Sequence, residues 1–318
     1  MRFLIVFAMI AVAVAHLLLP LASLDEARSI DPVLARVILV ELRLPRTLLV
    51  VSYGMVLGIS GAALQATFAN PLASPDISGA SSGAALGAVL GGYWLGITQP
   101  LALAGCAAAG AVAALLFLLL LAGRRADSTT LLLAGLALSL AAGAGTSLAL
   151  ALAPSPFAFY DAFDWLMGSF VDRSLGQAAA ALIPAAMASL LLLRRARALD
   201  QLALGEDVAA SLGLHPRALA IEVIALSAIA VGACVSVAGA IGFVGLVAPT
   251  LARRLSRGHP GRAMLPAAAI GALLLTLADL VVRAVPLARP IPVGVITALF
   301  GTPLFLWLVL SMRRRVAA

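Results

Sequence analysis

The sequence predicts an all-α, polytopic membrane protein, and three observations lead to this fold class. Of the 318 residues, 63% are hydrophobic and 11% are charged, whereas a soluble domain has about 45–50% and about 25%. The mean hydropathy is +1.12. The apolar residues also form long runs, which a bilayer accommodates as helices because a helix satisfies its own backbone polar groups.

Ten of these runs are predicted to be spans, since about 20 apolar residues cross roughly 30 Å of hydrocarbon. They cover residues 3–20, 46–66, 78–95, 100–122, 130–152, 177–193, 218–238, 240–252, 264–284 and 293–311. The eighth is short and is interrupted by Gly242, Gly245 and Pro249. The whole chain, residues 1–318, is predicted to be one transmembrane domain.

The first span follows Met1 and Arg2, as the apolar part of a secretory signal would. No convincing small-x-small cleavage site follows Pro20, and nine more spans come after it. We therefore expect an uncleaved first helix.

The arginines predict the orientation, because cytoplasmic loops near span ends carry the excess of positive charge. With ten spans and an internal N-terminus, 14 of the 21 arginines fall on the cytoplasmic side. We therefore expect a bacterial inner-membrane protein with both termini in the cytoplasm. The net charge of +7 is explained by topology and requires no nucleic-acid partner.

Several activities are disfavoured by the residues that the chain lacks. It contains no lysine, so it cannot form a Walker A loop or a Schiff base. If ATP drives it, the nucleotide site lies on another protein. Cys106 and Cys234 lie in different spans without CxxC spacing, so they are expected to be small buried residues. No metal site, cofactor or catalytic residue is predicted.

Two other functions were weighed against transport driven by a partner ATPase. Residues 58–61 read GISG, a pattern found at the nucleophile of intramembrane serine proteases, but only His16 lies at membrane depth as a base. Helix packing through Gly58, Ser60 and Gly61 is the preferred explanation. An ion-coupled secondary transporter needs ionisable or carbonyl groups near the midplane, whereas Glu222, Asp279 and Arg283 lie near span ends.

The connections between spans carry further local predictions. Pro45 suits the start of the second span, and Asp76 is placed to cap the third. Residues 202–214 are too polar to span, and Gly205 and Gly213 bracket a predicted short amphipathic helix that exposes Ala209 and Leu212. The outer loop 153–176 is acidic and aromatic, which fits an interfacial aromatic belt or a short helix beneath a docked partner.

The chain resembles the FecCD family, the permease subunits of type II ABC importers for iron-siderophores, haem and vitamin B12. The resemblance runs in register along nearly the whole chain. Its clearest segments are RLPRTL at 43–48, SGAALQ at 60–65, NPLASPDISGASSGAALGA at 70–88, LALGEDVAASLGL at 202–214, GFVGLVAPTLAR at 242–253 and PVGVITALFGTPLFLWLV at 292–309. The resemblance implies a type II ABC importer permease fold with ten helices. It also implies a dimer, most simply a homodimer in membrane lipid, with the pathway at its interface.

Partners and site residues follow from the same resemblance. Two ABC ATPase subunits would bind the coupling loop at about 194–217, for which a plain connecting helix is the alternative. A periplasmic binding protein would dock on arginines at the outer side, for which snorkelling at the membrane interface is the alternative. The implied coupling residues are Leu204, Gly205, Glu206, Ala209, Leu212 and Gly213. The implied docking residues are Arg43, Arg46 and Arg283. The implied cytoplasmic gate is Asn70, Leu72, Ser128 and Thr129, for which simple helix capping is the alternative.

The mechanism that the resemblance implies is alternating access without covalent chemistry. The cargo expected from the sequence is iron-siderophore first, haem second and cobalamin third.

Overall fold

The computed structural model describes residues 2–123, 128–153, 166–284 and 291–316, and it has no strand in these ranges. The α-helices, numbered along the described residues, are α1 (Arg2–Leu18), α2 (Leu21–Ile30), α3 (Pro32–Val37), α4 (Leu44–Thr67), α5 (Ala80–Val89), α6 (Pro100–Ala122), α7 (Ser128–Ala151), α8 (Leu175–Arg194), α9 (Ala196–Leu202), α10 (Glu206–Ser211), α11 (Pro216–Ala238), α12 (Val244–Leu255), α13 (Pro260–Ala284) and α14 (Val293–Val316). The all-α class predicted from the sequence is confirmed.

A helix lies at each of the ten predicted span positions, but the helices differ in length. Six are long and apolar enough to cross a membrane within the described residues. They are Pro32–Thr67, Pro100–Leu121, Thr129–Ala151, Leu175–Arg194, Pro216–Ala238 and Pro260–Ala284. Helix α12 has 12 residues, which is about 18 Å at 1.5 Å per residue and too short to cross alone. The count of ten spans therefore stays a prediction.

The helix that contains the second predicted span starts earlier than the apolar run. A π-helical segment, Ile38–Arg43, joins α3 to α4 without a break. Pro45 lies in the first turn of α4, where its missing N–H costs little because that turn has unpaired donors anyway. The continuous helix places Arg43 and Arg46 one turn apart at the end that the sequence predicts to be outside.

Helix α4 lies at the centre of the structure and packs along α13, α12, α11 and α8. A Cβ atom on Gly54, Gly58 or Gly61 would overlap the main chain of a neighbouring helix, at Gly271, Ala267 and Gly245 respectively. Close backbone approach through small residues is a common way for membrane helices to associate. The packing role predicted for Gly58 and Gly61 is confirmed.

A second group of helices is assembled in the same way. Helix α5, which continues as the π-helix Leu90–Trp94, packs against α6 and α7. Gly83 and Gly110 approach each other so closely that a Cβ on either would overlap the main chain of the other helix. Helix α11 contacts α4, α5, α6 and α8, so it joins this group to the central one.

Candidate functional sites at the two ends of the helix bundle

The three arginines predicted for docking come together at one end of the bundle, around the buried carboxylate of Asp279. Arg46 donates from Nε to Asp279 Oδ2 at 2.8 Å and from Nη2 to Oδ1 at 2.9 Å. The Asp279 side chain is 1% exposed and that of Arg46 is 17% exposed. A two-point contact between planar guanidinium and carboxylate groups is among the stronger hydrogen-bonded pairs in proteins.

His16 completes this ion pair from α1. Its Nε2 lies 2.7 Å from Asp279 Oδ2, and its Nδ1 lies 2.8 Å from the hydroxyl of Thr47. That hydroxyl donates its own hydrogen to the carbonyl of Arg43 at 2.8 Å. Each ring nitrogen of His16 therefore lies within hydrogen-bond distance of a polar side chain.

Arg43 and Arg283 cap the C-terminal end of α1. Arg43 donates to the carbonyls of Leu18 and Pro20, the latter at 2.9 Å, and is 6% exposed. Arg283 donates to the carbonyls of His16, at 2.6 Å, and Leu19. The last carbonyls of a helix have no partner within the helix, and cations are favoured there. Both guanidinium groups therefore stabilise the C-terminal end of α1, in addition to any part that they have in docking.

This group of residues, here called the outer cluster (His16, Arg43, Arg46, Thr47, Asp279 and Arg283), carries more positive than negative charge. Three guanidinium groups lie around one carboxylate. Arg46 and Asp279 line a cavity of about 200 Å³, together with Ser169, Phe170, Val171, Val282, Ile291, Pro292 and Val293. The cluster therefore presents a cation to an open space at this end of the protein.

Sequence reasoning brought out the arginines of the outer cluster but missed their partners. His16 was considered only as a base for Ser60, and Asp279 only as evidence against ion coupling. The available signal was the rarity of ionisable residues in apolar spans, since such groups pair with one another or face water. That rule predicts partners for His16 and Asp279 but does not identify them.

The coupling residues lie at the other end of the bundle, on α10 and its flanks. Leu204, Val208 and Leu212 are 62%, 48% and 57% exposed. Val208 lies on the helix, and Leu204 and Leu212 flank it on either side. Gly205 and Gly213 have φ values of +106° and +84°, a backbone region that glycine adopts without strain. The two glycines thus bracket α10, as predicted. We call the three exposed apolar residues, Leu204, Val208 and Leu212, the inner patch.

The expectation that Ala209 is exposed is wrong. Ala209 is 0% exposed and belongs to the core cluster that includes Leu199 and Leu202 of α9. Its small side chain lets α10 pack closely on α9 and α11. Val208, which the sequence analysis passed over, takes the exposed position instead. The sequence feature that could have predicted this is the spacing of four between the apolar residues at 204, 208 and 212. Glu206 starts α10, where an acidic side chain is favoured by the helix dipole.

The residues predicted for the cytoplasmic gate are only partly brought together. Asn70 accepts from the backbone N–H of Leu72 at 2.9 Å, and Leu72 is 45% exposed. Ser128 is the first residue of α7, and Thr129 is exposed. The connection after α4 contacts α7 at Ser139, whose hydroxyl donates to the Asp76 carbonyl at 2.8 Å. Ser139 is about 16 Å along α7 from its first turn.

The expectation that Asp76 caps the third span is wrong. A 3-10 turn, Pro75–Ser78, separates Asp76 from α5, and the residue at the N-cap is Gly79, with φ +74°. The Asp76 side chain instead interacts with the side chain of Ser81 in the first turn of α5, and it makes no capping hydrogen bond there. The hydroxyl of Ser78 is closer to that end, at 3.4 Å from the N–H of Ala80.

The structure also bears on the protease alternative. Ser60 is 0% exposed and its hydroxyl has no hydrogen-bond partner among the described residues. Both ring nitrogens of His16 contact Thr47 and Asp279. A serine nucleophile needs a base within hydrogen-bond reach, so these two residues do not form a catalytic pair. Half of the predicted outer loop 153–176, residues 154–165, lies outside the described residues, as do Arg124, Arg125, Asp127 and Arg289.

Known proteins resemble the chain over most of its length. The model of the FecCD transport family matches residues 3–311. The vitamin B12 import system permease protein BtuC of Citrobacter koseri is 40% identical over 285 residues, covering 86% of this chain and 83% of the relative. The protein of the same name from Escherichia coli O9:H4 is 41% identical over 279 residues, covering 86% and 84%.

Solved structures agree with this likeness. A transporter described as being of the metal-chelate ABC type, in an inward-facing conformation, matches with a TM-score of 0.86 and 31% identity over 98% of both chains. PsaBC from Streptococcus pneumoniae in complex with Fab matches with a TM-score of 0.52 and 17% identity, over 82% of this chain and 90% of the other, which shows similarity of fold alone. The fold and these matches define the class, a multi-pass permease subunit of an ABC importer. The chain belongs to the FecCD transport family.

Proposed function

We propose that this chain is the permease of an ATP-driven importer that moves a metal chelate from periplasm to cytoplasm by alternating access. The observation that supports this most is the likeness to the inward-facing metal-chelate transporter, with a TM-score of 0.86 over 98% of both chains. In this proposal two copies form the pathway in the inner membrane, with both termini in the cytoplasm. Two ATPase subunits bind inside, and a periplasmic binding protein docks outside.

The proposed docking site is the outer cluster, with Arg46 as its first contact. Arg46 uses Nε and Nη2 on Asp279, and a guanidinium offers a second edge, Nη1 with Nη2, to another carboxylate. The cavity beside Arg46 gives room for an acidic side chain. Arg43 and Arg283 add positive charge that speeds and orients the approach of an acidic partner.

The proposed ATPase contact is the inner patch on α10. Three exposed apolar side chains on and beside a short helix suit an apolar groove on a partner protein, of the kind into which amphipathic helices dock in other complexes. Gly205 and Gly213 fix where the helix begins and ends, and Ala209 anchors it to the bundle. Proposed gate residues are Asn70, Leu72, Ser128 and Thr129, because they flank the connections at the same end as the inner patch.

An ion-coupled transporter is the alternative of a different class. Such proteins use carboxylates that exchange protons or cations during transport. The buried carboxylate of Asp279 is held by Arg46 and His16 together, an arrangement that opposes release and rebinding of a cation. The geometry therefore favours transport driven by the partner ATPase.

The first cargo to test is cobalamin, because the relatives at 40% and 41% identity carry the name of vitamin B12 permeases. The second is a ferric siderophore, which the sequence analysis placed first and which agrees with the metal-chelate description of the similar structure. Haem is the third. All three are chelated metals, so a single assay can compare them.

The test is uptake into liposomes that contain this chain and the ATPase of the same transport system, with the binding protein and each labelled cargo outside. We expect uptake only with Mg-ATP inside and only with the cargo that the binding protein carries. A matched set without the ATPase is the control. Uptake in that set would refute the proposal and support the ion-coupled alternative.

A further inference from the structure

Helix α9 is attached to the start of α13 by a polar contact that no prediction above uses. The backbone N–H of Gly261 donates to Asp200 Oδ1 at 2.8 Å. A Cβ on Gly261 would overlap the carbonyl of Ala196 and lie 2.9 Å from Asp200 Oδ2. The two helices are thus in direct backbone contact, and Asp200 sits over the first turn of α13.

The chemistry of this contact is that of a helix cap supplied by another helix. The first four N–H groups of a helix have no partner within it, and a carboxylate there is favoured by both hydrogen bonding and the helix dipole. Pro260, the first residue of α13, has no N–H, so Gly261 carries the first donor. Asp200 accepts from that donor across 61 positions of sequence.

Helix α9 also supports α10, where the inner patch lies. Leu199 and Leu202 of α9 are 0% and 8% exposed and pack in the core with Ala209 of α10. The N–H of Gly205 donates to the Leu202 carbonyl at 3.0 Å, which ties the end of α9 to the start of α10. A force on the inner patch therefore acts on α9 and α10 together.

Helix α13 leads from this contact to the outer cluster. Gly261 and Arg283 are separated by about 33 Å at 1.5 Å per residue. Along the way α13 is fixed to α4 by the close approaches at Gly54 and Gly58. Asp279 and Arg283, near its other end, belong to the outer cluster. Helix α13 thus links α9, which lies next to the inner patch, with the outer cluster.

We propose that Asp200 is a positioning residue for coupling, through which movement of the ATPase-contacting segment is passed to α13. The proposal rests on the proposed function, since it assigns the inner patch to the ATPase. It predicts that loss of the Asp200 carboxylate uncouples ATP hydrolysis from uptake while leaving the ATPase bound. A merely structural cap would lower hydrolysis and uptake in proportion.

The experiment measures uptake per ATP hydrolysed in liposomes holding the complete transporter, with cobalamin, haem and a ferric siderophore as probes. For Asp200→Ala we expect this ratio to fall by about tenfold, the factor that corresponds to loss of one charge-assisted hydrogen bond, with co-purification of the ATPase unchanged. Asp200→Asn keeps an acceptor oxygen and should recover part of the ratio. Asp25→Asn, at an exposed position of α2, is the matched control and should match the wild type.

A second variant tests the same contact from the other side. Gly261→Ala places a methyl group against the Ala196 carbonyl and should lower the ratio as well. An unchanged ratio in Asp200→Ala, with an active wild type, would overturn this inference alone. If Asp200→Ala does not assemble, Asp200→Asn and Gly261→Ala decide in the same way. A wild type without ATP-dependent uptake would instead refute the proposed function.

Discussion

Replacing Asp279 by alanine should destabilise the protein strongly, because Arg46 and His16 would lose their shared hydrogen-bond partner. Removal of one partner from a buried ion pair costs about 3–5 kcal/mol. Arg46 is 17% exposed and can turn towards the adjoining cavity. We therefore expect the free energy of unfolding to fall by about 3 kcal/mol, the low end of that range. For a protein of 150–250 residues this loss corresponds to roughly 6–12 °C in the unfolding temperature.

The buried thiol of Cys234, which is 0% exposed, provides the assay. In a Cys106→Ser background, a thiol-reactive dye should label the purified protein in detergent only as it unfolds on heating. Asp279→Asn is the matched control, since it keeps the size of the side chain and part of its hydrogen bonding, and it should melt between the wild type and Asp279→Ala. A double variant with Arg46→Ala should lose less than the sum of the single changes, because the pair interact directly. A melting temperature of Asp279→Ala equal to that of the wild type would refute the ion pair.

Four further substitutions test other parts of the structure. Val208→Glu should abolish co-purification of the ATPase subunit without changing the melting temperature, whereas Ala209→Leu, which inserts a larger side chain into a buried site, should lower stability by about 1–3 kcal/mol in the same thiol-labelling assay. Gly58→Leu should prevent α4 from packing on α13 and remove folded protein from the membrane fraction, measured by size-exclusion chromatography. Ser60→Ala should leave uptake unchanged to within about twofold, since loss of an unpartnered hydroxyl removes no hydrogen bond; loss of uptake would reopen the protease alternative.

The apolar runs predicted the helices well because their length follows from the thickness of the bilayer. Each run from 3–20 to 293–311 coincides with a helix of the structure. The early start of the helix that holds the second span was not predicted, because residues 32–43 contain Arg36, Glu41 and Arg43 and are less apolar than the run that follows. Their helical form comes from the continuous π and α segments, which no hydropathy window detects.

The pairing of side chains across the bundle could not be predicted from the sequence. His16 and Asp279 are 263 positions apart, and their contact depends on how α1 and α13 pack. The exposure of Ala209 was misjudged for a related reason, since a six-residue helix with apolar residues on several sides can turn either face to the core. The choice is made by the packing of α9 and α11, which is tertiary information.

In the proposed function, the outer cluster is both the docking surface and a structural contact that joins α1, α4 and α13. A carboxylate arriving at Arg46 meets a guanidinium already held flat against Asp279, so little side-chain entropy remains to be lost on binding. Arg43 and Arg283 are likewise fixed, by the last carbonyls of α1. If Arg43 or Arg283 exchanged its carbonyl partner for a carboxylate of the docked protein, the C-terminal end of α1 would lose part of its cap. At Arg283 the docked protein would then contact α13 directly. Docking would then act on α13 from outside while Asp200 acts on it from inside, and the two partner proteins would meet in one helix.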